Sequence, residues 1–90
     1  MITHDARTHR FELRSGQDDM PFIEYIPTAG GMTIVRTWVP PVLEGQGIAS
    51  MMTRHVLDYA RERHLRIVPE CSFTRAYLKR HPEYADLTKK

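Results

Sequence analysis

Thr33-Ile-Val-Arg-Thr-Trp-Val-Pro-Pro-Val-Leu-Glu-Gly-Gln-Gly-Ile-Ala-Ser-Met-Met-Thr-Arg-His-Val-Leu57 decides how the rest of the chain is read. Thr33 to Val39 is rich in β-branched and aromatic residues, the composition of a strand. Pro40 and Pro41 stop it, because proline supplies no ladder donor. Gly45-Gln46-Gly47 then turns the chain. Ala49, Met52, Val56 and Ala60 follow at helical spacing, with Arg54, Asp58, Arg61 and Glu62 elsewhere around the axis. Strand, glycine loop and helix start together present free backbone N–H groups to an anion. The helix is expected over about residues 48–64, ending in cations that suit its negative pole.

Working back toward the N-terminus, Arg10-Phe11-Glu12-Leu13-Arg14 alternates polar and apolar like a half-buried strand. Ser15-Gly16-Gln17-Asp18-Asp19 reads as a turn. Pro21 to Ile26 reads as a second strand, closed by Pro27-Thr28-Ala29-Gly30-Gly31, and Met32 to Val39 as a third. Short turns between them give an antiparallel meander. Residues 1–8 are polar and read as a flexible N-terminus, leaving 9–90 as a single domain.

Working forward, Leu65-Arg66-Ile67-Val68-Pro69 is a short fourth strand. A right-handed strand–helix–strand crossover sets it parallel to the third. Pairing is expected to stop or splay near Pro69, leaving a wedge that a linear ligand can enter. Ser72 is the expected N-cap of a last helix carrying Phe73, Ala76, Tyr77 and Arg80 on one side. His81-Pro82-Glu83-Tyr84 breaks that helix. The expected fold is α/β with a mixed sheet: an antiparallel three-strand meander plus one parallel strand, and two main helices.

Ninety residues close one hydrophobic core and not two. Net charge is +2, with Lys and Arg scattered in runs no longer than two, which argues against a nucleic-acid face. A single cysteine excludes an internal disulfide and fits a reducing compartment. No apolar run approaches the roughly 18 residues of a membrane helix. The first ten residues lack the apolar core of a signal peptide, so a cytoplasmic location is expected.

A Gly-x-Gly alone also fits a turn that merely starts a helix. Several motifs in order carry more. Thr37-x-Val39-Pro40 followed by Leu43-Glu44-Gly45-Gln46-Gly47-Ile48-Ala49 resembles motif A of the GNAT acetyltransferases, Arg/Gln-x-x-Gly-x-Gly/Ala. Pro69-Glu70-Cys71 and His81-Pro82-Glu83-Tyr84 resemble segments of the short, single-domain GNAT-like proteins. The likeness spans roughly residues 10 to 87.

It implies acetyl-CoA as co-substrate. The pyrophosphate would lie on backbone amides of Glu44, Gly45, Gln46, Gly47, Ile48, Ala49 and Ser50, entered from Leu43. Pantetheine would lie in the strand splay, with the thioester carbonyl held by main chain near Val39. Glu44 departs from the family pattern, since it occupies the Arg/Gln position. The chain also lacks the N-terminal helices that wall the acceptor site in larger GNAT enzymes, so an open acceptor side is expected.

Acetyl transfer to an amine needs a deprotonated nucleophile, an oxyanion donor and an acid for the leaving thiolate. Cys71 stands near a helix N-terminus, which raises the thiolate fraction from its ordinary value of about 3% at pH 7. The resemblance makes it the first catalytic candidate, as acetyl-cysteine or as an assisting thiol; the alternative is a small buried hydrophobe. Tyr77 matches, by the same resemblance, a tyrosine that protonates the coenzyme thiolate; the alternative is stacking on Phe73. His81 is either a base or a helix-ending residue. Five histidines show no metal-ligand spacing with one another or with Cys71, so no metal is expected. Glu12 and Glu24 fit a solvated strand face, and Trp38 fits core or rim.

The expected function is acetyl-CoA-dependent N-acetyl transfer to an amine, directly or through Cys71. The alternative is a coenzyme A-binding module without turnover, acting as sensor or partner subunit. Expected partners are acetyl-CoA and an amine acceptor, with no nucleic acid and no membrane, in a monomer or weak dimer.

Overall fold

Gly31–Trp38 is the strand on which the others are aligned. The computed structural model of the chain describes residues 1–14 and 20–88. Five strands, β1 (Ile2–Asp5), β2 (Arg10–Leu13), β3 (Phe22–Thr28), β4 (Gly31–Trp38) and β5 (Arg66–Pro69), lie in the order β1-β2-β3-β4-β5. Pairing is antiparallel except between β4 and β5, which run parallel, as the crossover through α1 (Ile48–Glu62) requires. The mixed sheet, the meander and the parallel strand follow the sequence reading. The turn expected at Ser15–Asp19 lies outside the described residues. No helix among the described residues is long and apolar enough to cross a membrane.

Residues 2–5 correct the reading of a flexible N-terminus and add a fifth strand. β1 pairs with the whole of β2, from Ile2 opposite Leu13 to Asp5 opposite Arg10. The Asp5 carboxylate accepts the Arg7 and Thr8 N–H groups at 2.9 and 3.3 Å, the Asx turn that reverses the chain. His4 then stacks on Phe11 with ring centroids 4.2 Å apart and hydrogen-bonds the Tyr25 hydroxyl.

The core lies between the sheet and the helices. From α1 come Met52, Thr53, Val56, Leu57 and Ala60, and from the sheet Phe11, Ile23, Tyr25, Met32, Ile34 and Ile67. That helical set is the stripe expected from spacing, widened by Thr53 and Leu57. The helix ends two residues earlier than expected, where His64 takes a left-handed φ of 56° and Leu65 N–H reaches back to Ala60 O.

A β-bulge decides which side chains of β4 face the helices. Glu24 lies opposite Arg36, yet Tyr25 lies opposite Ile34, so Val35 is the extra residue of β4. Before it Met32 and Ile34 face the helices; after it Thr37 does, and Arg36 and Trp38 face the other side.

The second helix, α2 (Ser72–Arg80), corrects two details. Its N-cap is Cys71, not Ser72, and its buried residues are Thr74 and Tyr77. Phe73 is half-buried, and Ala76 and Arg80 are exposed. The stripe is displaced because a buried threonine, invisible to hydrophobic spacing, sits at its centre.

A 3-10 segment, Pro82–Thr88, closes the chain over α1. Tyr84, buried, donates its hydroxyl to Asp58 at 2.6 Å, while Arg61 bonds Glu83 O and Asp86 and stacks over the Tyr84 ring. The hydrogen bond to the carboxylate, with burial, pushes the Tyr84 hydroxyl up to about 12. Tyr84→Phe should cost about 1–2 kcal/mol. A raised folded-state pKa stabilises fully below the unfolded value of about 10 and fades as pH climbs toward 12. The two melting curves should therefore differ at neutral pH and converge in strong alkali.

Candidate functional site

The β4–β5 ladder ends at Ile34 opposite Pro69. Glu70 and Cys71 N–H groups both donate to Ile34 O, at 3.1 and 2.9 Å, and the chain leaves into α2. Beyond that point Val35 to Trp38 runs on without a strand on this side, among the described residues. This is the wedge inferred from Pro69. Arg66 and Glu70 N–H both face β4, so the nitrogen of Pro69 lies on the outer edge and takes no donor from the ladder; pairing stops because the chain turns away into α2, which holds the wedge open.

At the far end of β4 the chain turns through Pro40 and a short 3-10 segment, Pro41–Leu43, into the glycine loop. Gly45 and Gly47 take φ of 82° and 75°, left-handed values that a side chain would strain. Gly47 is itself the N-cap of α1, with no side chain capping the helix. The first backbone bond there runs from Met51 N–H to Gly47 O at 3.0 Å. Ile48, Ala49 and Ser50 N–H groups therefore have no acceptor within the helix, and all three project from its positive end.

Val39, Leu43, Glu44, Gly45, Gly47, Ile48, Ala49 and Ser50 line one cavity of about 200 Å³, with Phe73 of α2 as its other wall. Of the loop residues singled out from sequence only Gln46, exposed, stands outside it. Glu44 is exposed at the rim, so its charge is hydrated rather than confined with an anion. Phe73, read from sequence only as part of the apolar side of α2, enters the site because α2 begins beside the loop. Larger cavities, of about 320 and 330 Å³, lie along α1 away from the loop. The uncapped N–H groups, not the volume, single out the smaller one.

Cys71 is 9% exposed and lies across the wedge from β4, its thiol 3.4 Å from the Thr37 hydroxyl. As a thiol it donates to Thr37; as a thiolate it would accept from it. Cys71 is the N-cap residue of α2, and although its sulfur makes no capping hydrogen bond, it lies near enough to the Phe73 and Thr74 N–H groups to feel them. Burial pushes the thiol up, but the Thr37 hydroxyl, the Thr74 N–H and hydroxyl and the Phe73 N–H more than offset it, and the net shift is downward. The Thr74 hydroxyl is buried and has no good partner beside the neutral thiol. A thiolate would give it one.

Tyr77 is brought elsewhere. It stacks on His81 (centroids 4.0 Å apart, planes 22°) rather than on Phe73, and lines the cavity formed with Arg54, Glu83 and Tyr84. Burial raises its hydroxyl above the ordinary value. His81, on that same face, lies 3.5 Å from Glu83. On the opposite face of the sheet, Glu24 lies between Arg10 and Arg36, and Glu12 faces Arg14, so neither carboxylate stands free. Trp38 is 36% exposed beside Phe22.

The sequence profile described as GCN5-related N-acetyl-transferase matches residues 10–87. The chain is also similar to the NMR solution structure of a GCN5-like protein from Staphylococcus aureus. Identity is 26% and the TM-score 0.76, over 97% of this chain and 85% of that one.

Proposed function

The chain belongs to the GCN5-related N-acetyl-transferase family, and from that premise we propose that it transfers acetyl from acetyl-CoA to an amine, with Cys71 as the group that receives it first. The observation that carries the reading is the uncapped start of α1, three N–H groups aimed into a cavity beside the free edge of β4. Such a helix start suits a pyrophosphate, and the strand edge suits the amides of pantetheine. The residues present fit the coenzyme.

In this reading the Cys71 thiolate forms a bond to the thioester carbonyl carbon, and the carbon–sulfur bond to the coenzyme breaks. The leaving thiolate takes up a proton. The free amine then attacks acetyl-Cys71, loses its proton and restores the thiolate. Thr37 and Thr74 would hold the sulfur in its charged form before and after transfer.

Incubation with acetyl-CoA followed by intact-mass measurement tests it: an adduct of about 42 Da on Cys71, discharged by amines, is expected. Ala49→Glu separates binding from folding. A carboxylate in the first turn of α1 should leave the melting temperature unchanged or slightly higher. Calorimetry should show coenzyme affinity at least about tenfold weaker, through repulsion of the pyrophosphate. Unchanged affinity would place the phosphates elsewhere.

A further inference from the structure

The sheet face away from the helices carries a charged row. Arg10, Glu24 and Arg36 lie directly opposite one another across β2, β3 and β4. The adjoining row, Phe11, Ile23 and Thr37, faces the helices, with Phe11 against Tyr59 of α1, so the charged row points to the other side. Both guanidinium groups lie over the Phe22 ring, at 4.0 and 5.0 Å, and Trp38 flanks that ring at 5.6 Å. Stacking holds the two forks in place.

Arg10 and Arg36 each approach Glu24 with Nε, at 3.5 and 3.8 Å, and neither guanidinium makes a hydrogen bond among the described residues. Among the described residues their terminal N–H groups have no protein acceptor. Two arginines and one glutamate sum to one net positive charge, and the nearby Glu12–Arg14 pair adds none. One carboxylate neutralises that charge and fits a guanidinium fork bidentately; a doubly charged phosphate would overshoot it.

We infer that the acceptor is a small amine bearing one carboxylate, which Arg36 and Arg10 hold on this face while Trp38 and Phe22 support its chain. The inference rests on the acetyl-transfer reading, in which the amine attacks acetyl-Cys71. Arg36 adjoins Thr37, whose hydroxyl lies 3.4 Å from the Cys71 sulfur on the helix side of the sheet, so the amine end of an extended ω-amino acid would reach the acetyl group past the open edge of β4 beyond Ile34.

Trp38 is the sole tryptophan, so its fluorescence reports this face directly. ε-Aminocaproate and its neutral amide, ε-aminocaproamide, would be titrated into the protein with and without CoA. The acid should bind about tenfold more tightly. Arg36→Gln and Arg10→Gln should each erase most of that preference, and Arg36→Lys should restore part of it. In turnover, the preference should appear in KM rather than kcat. Equal binding of acid and amide, or a preference surviving in both glutamine variants, overturns the inference. Coenzyme binding and the Cys71 adduct report separately: their loss sinks the acetyl-transfer reading, while the fluorescence titration still judges the arginine pair.

Discussion

Cys71→Ser should abolish the acetyl adduct and lower amine acetylation by about 10²- to 10³-fold, with coenzyme affinity unchanged. Three features of the wedge give the expectation its size. The sulfur is nearly buried, it faces Thr37 across the gap at 3.4 Å, and its N-cap position turns backbone N–H groups toward it. Serine keeps the shape and the hydrogen bond to Thr37. It is also a better helix cap, so the melting temperature should hold or rise slightly. What it lacks is an accessible anion near neutral pH. The wild-type thiol should titrate below the ordinary value, because donors around it outweigh burial. Iodoacetamide labelling across pH would show that midpoint. Full turnover in Cys71→Ser would instead assign transfer directly from coenzyme to amine, with Cys71 as a cap only.

Phe11→Ala should cost about 3–5 kcal/mol. Phe11 is completely buried and meets His4, Tyr25, Tyr59 and His55, at centroid distances of 4.2, 5.6, 5.2 and 6.0 Å. From β2 its ring joins β1, β3 and α1. Its loss opens a cavity that three elements must collapse into, and it removes aromatic pairs worth about 0.5–1.5 kcal/mol each beyond area. Domains of this size hold about 5–13 kcal/mol in all. The melting temperature should fall by roughly 15–30 °C. Phe11→Leu, which keeps most of the volume, should lose less than half as much. Circular dichroism melts decide the matter. A fall below a few degrees for alanine would mean that β1 and its aromatic contacts do not support the core.

Much of this architecture was legible in the chain. Val39-Pro40-Pro41 and Gly45-Gln46-Gly47 mark the strand end and the helix start through torsions that only those residue types accept readily. Pro69 foretells where β5 stops. The loop cavity arises from these local signals, and all but Gln46 of the loop residues meet there. Non-local contacts hid the rest. Ile2-Thr3-His4-Asp5 carries one apolar residue, and its pairing depends on β2 and on His4 finding Phe11. The bulge at Val35 reverses the alternation of β4, so Thr37 rather than Arg36 or Trp38 meets Cys71. Tyr77 stacks on His81, four residues on at the C-cap of α2, rather than on Phe73, four residues back; both were within reach and spacing alone did not choose between them. Arg10 and Arg36 converge on Phe22 only once three strands are in register.

Backbone amide NMR during a CoA titration tests the central claim most directly. The expected result is a saturable set of shifts led by Gly45 to Met51, with smaller ones at Val35 to Trp38 and Cys71 to Thr74. Amides of Ile48, Ala49 and Ser50 that stay unmoved at millimolar CoA, or shifts confined to the far side of the sheet, would contradict it.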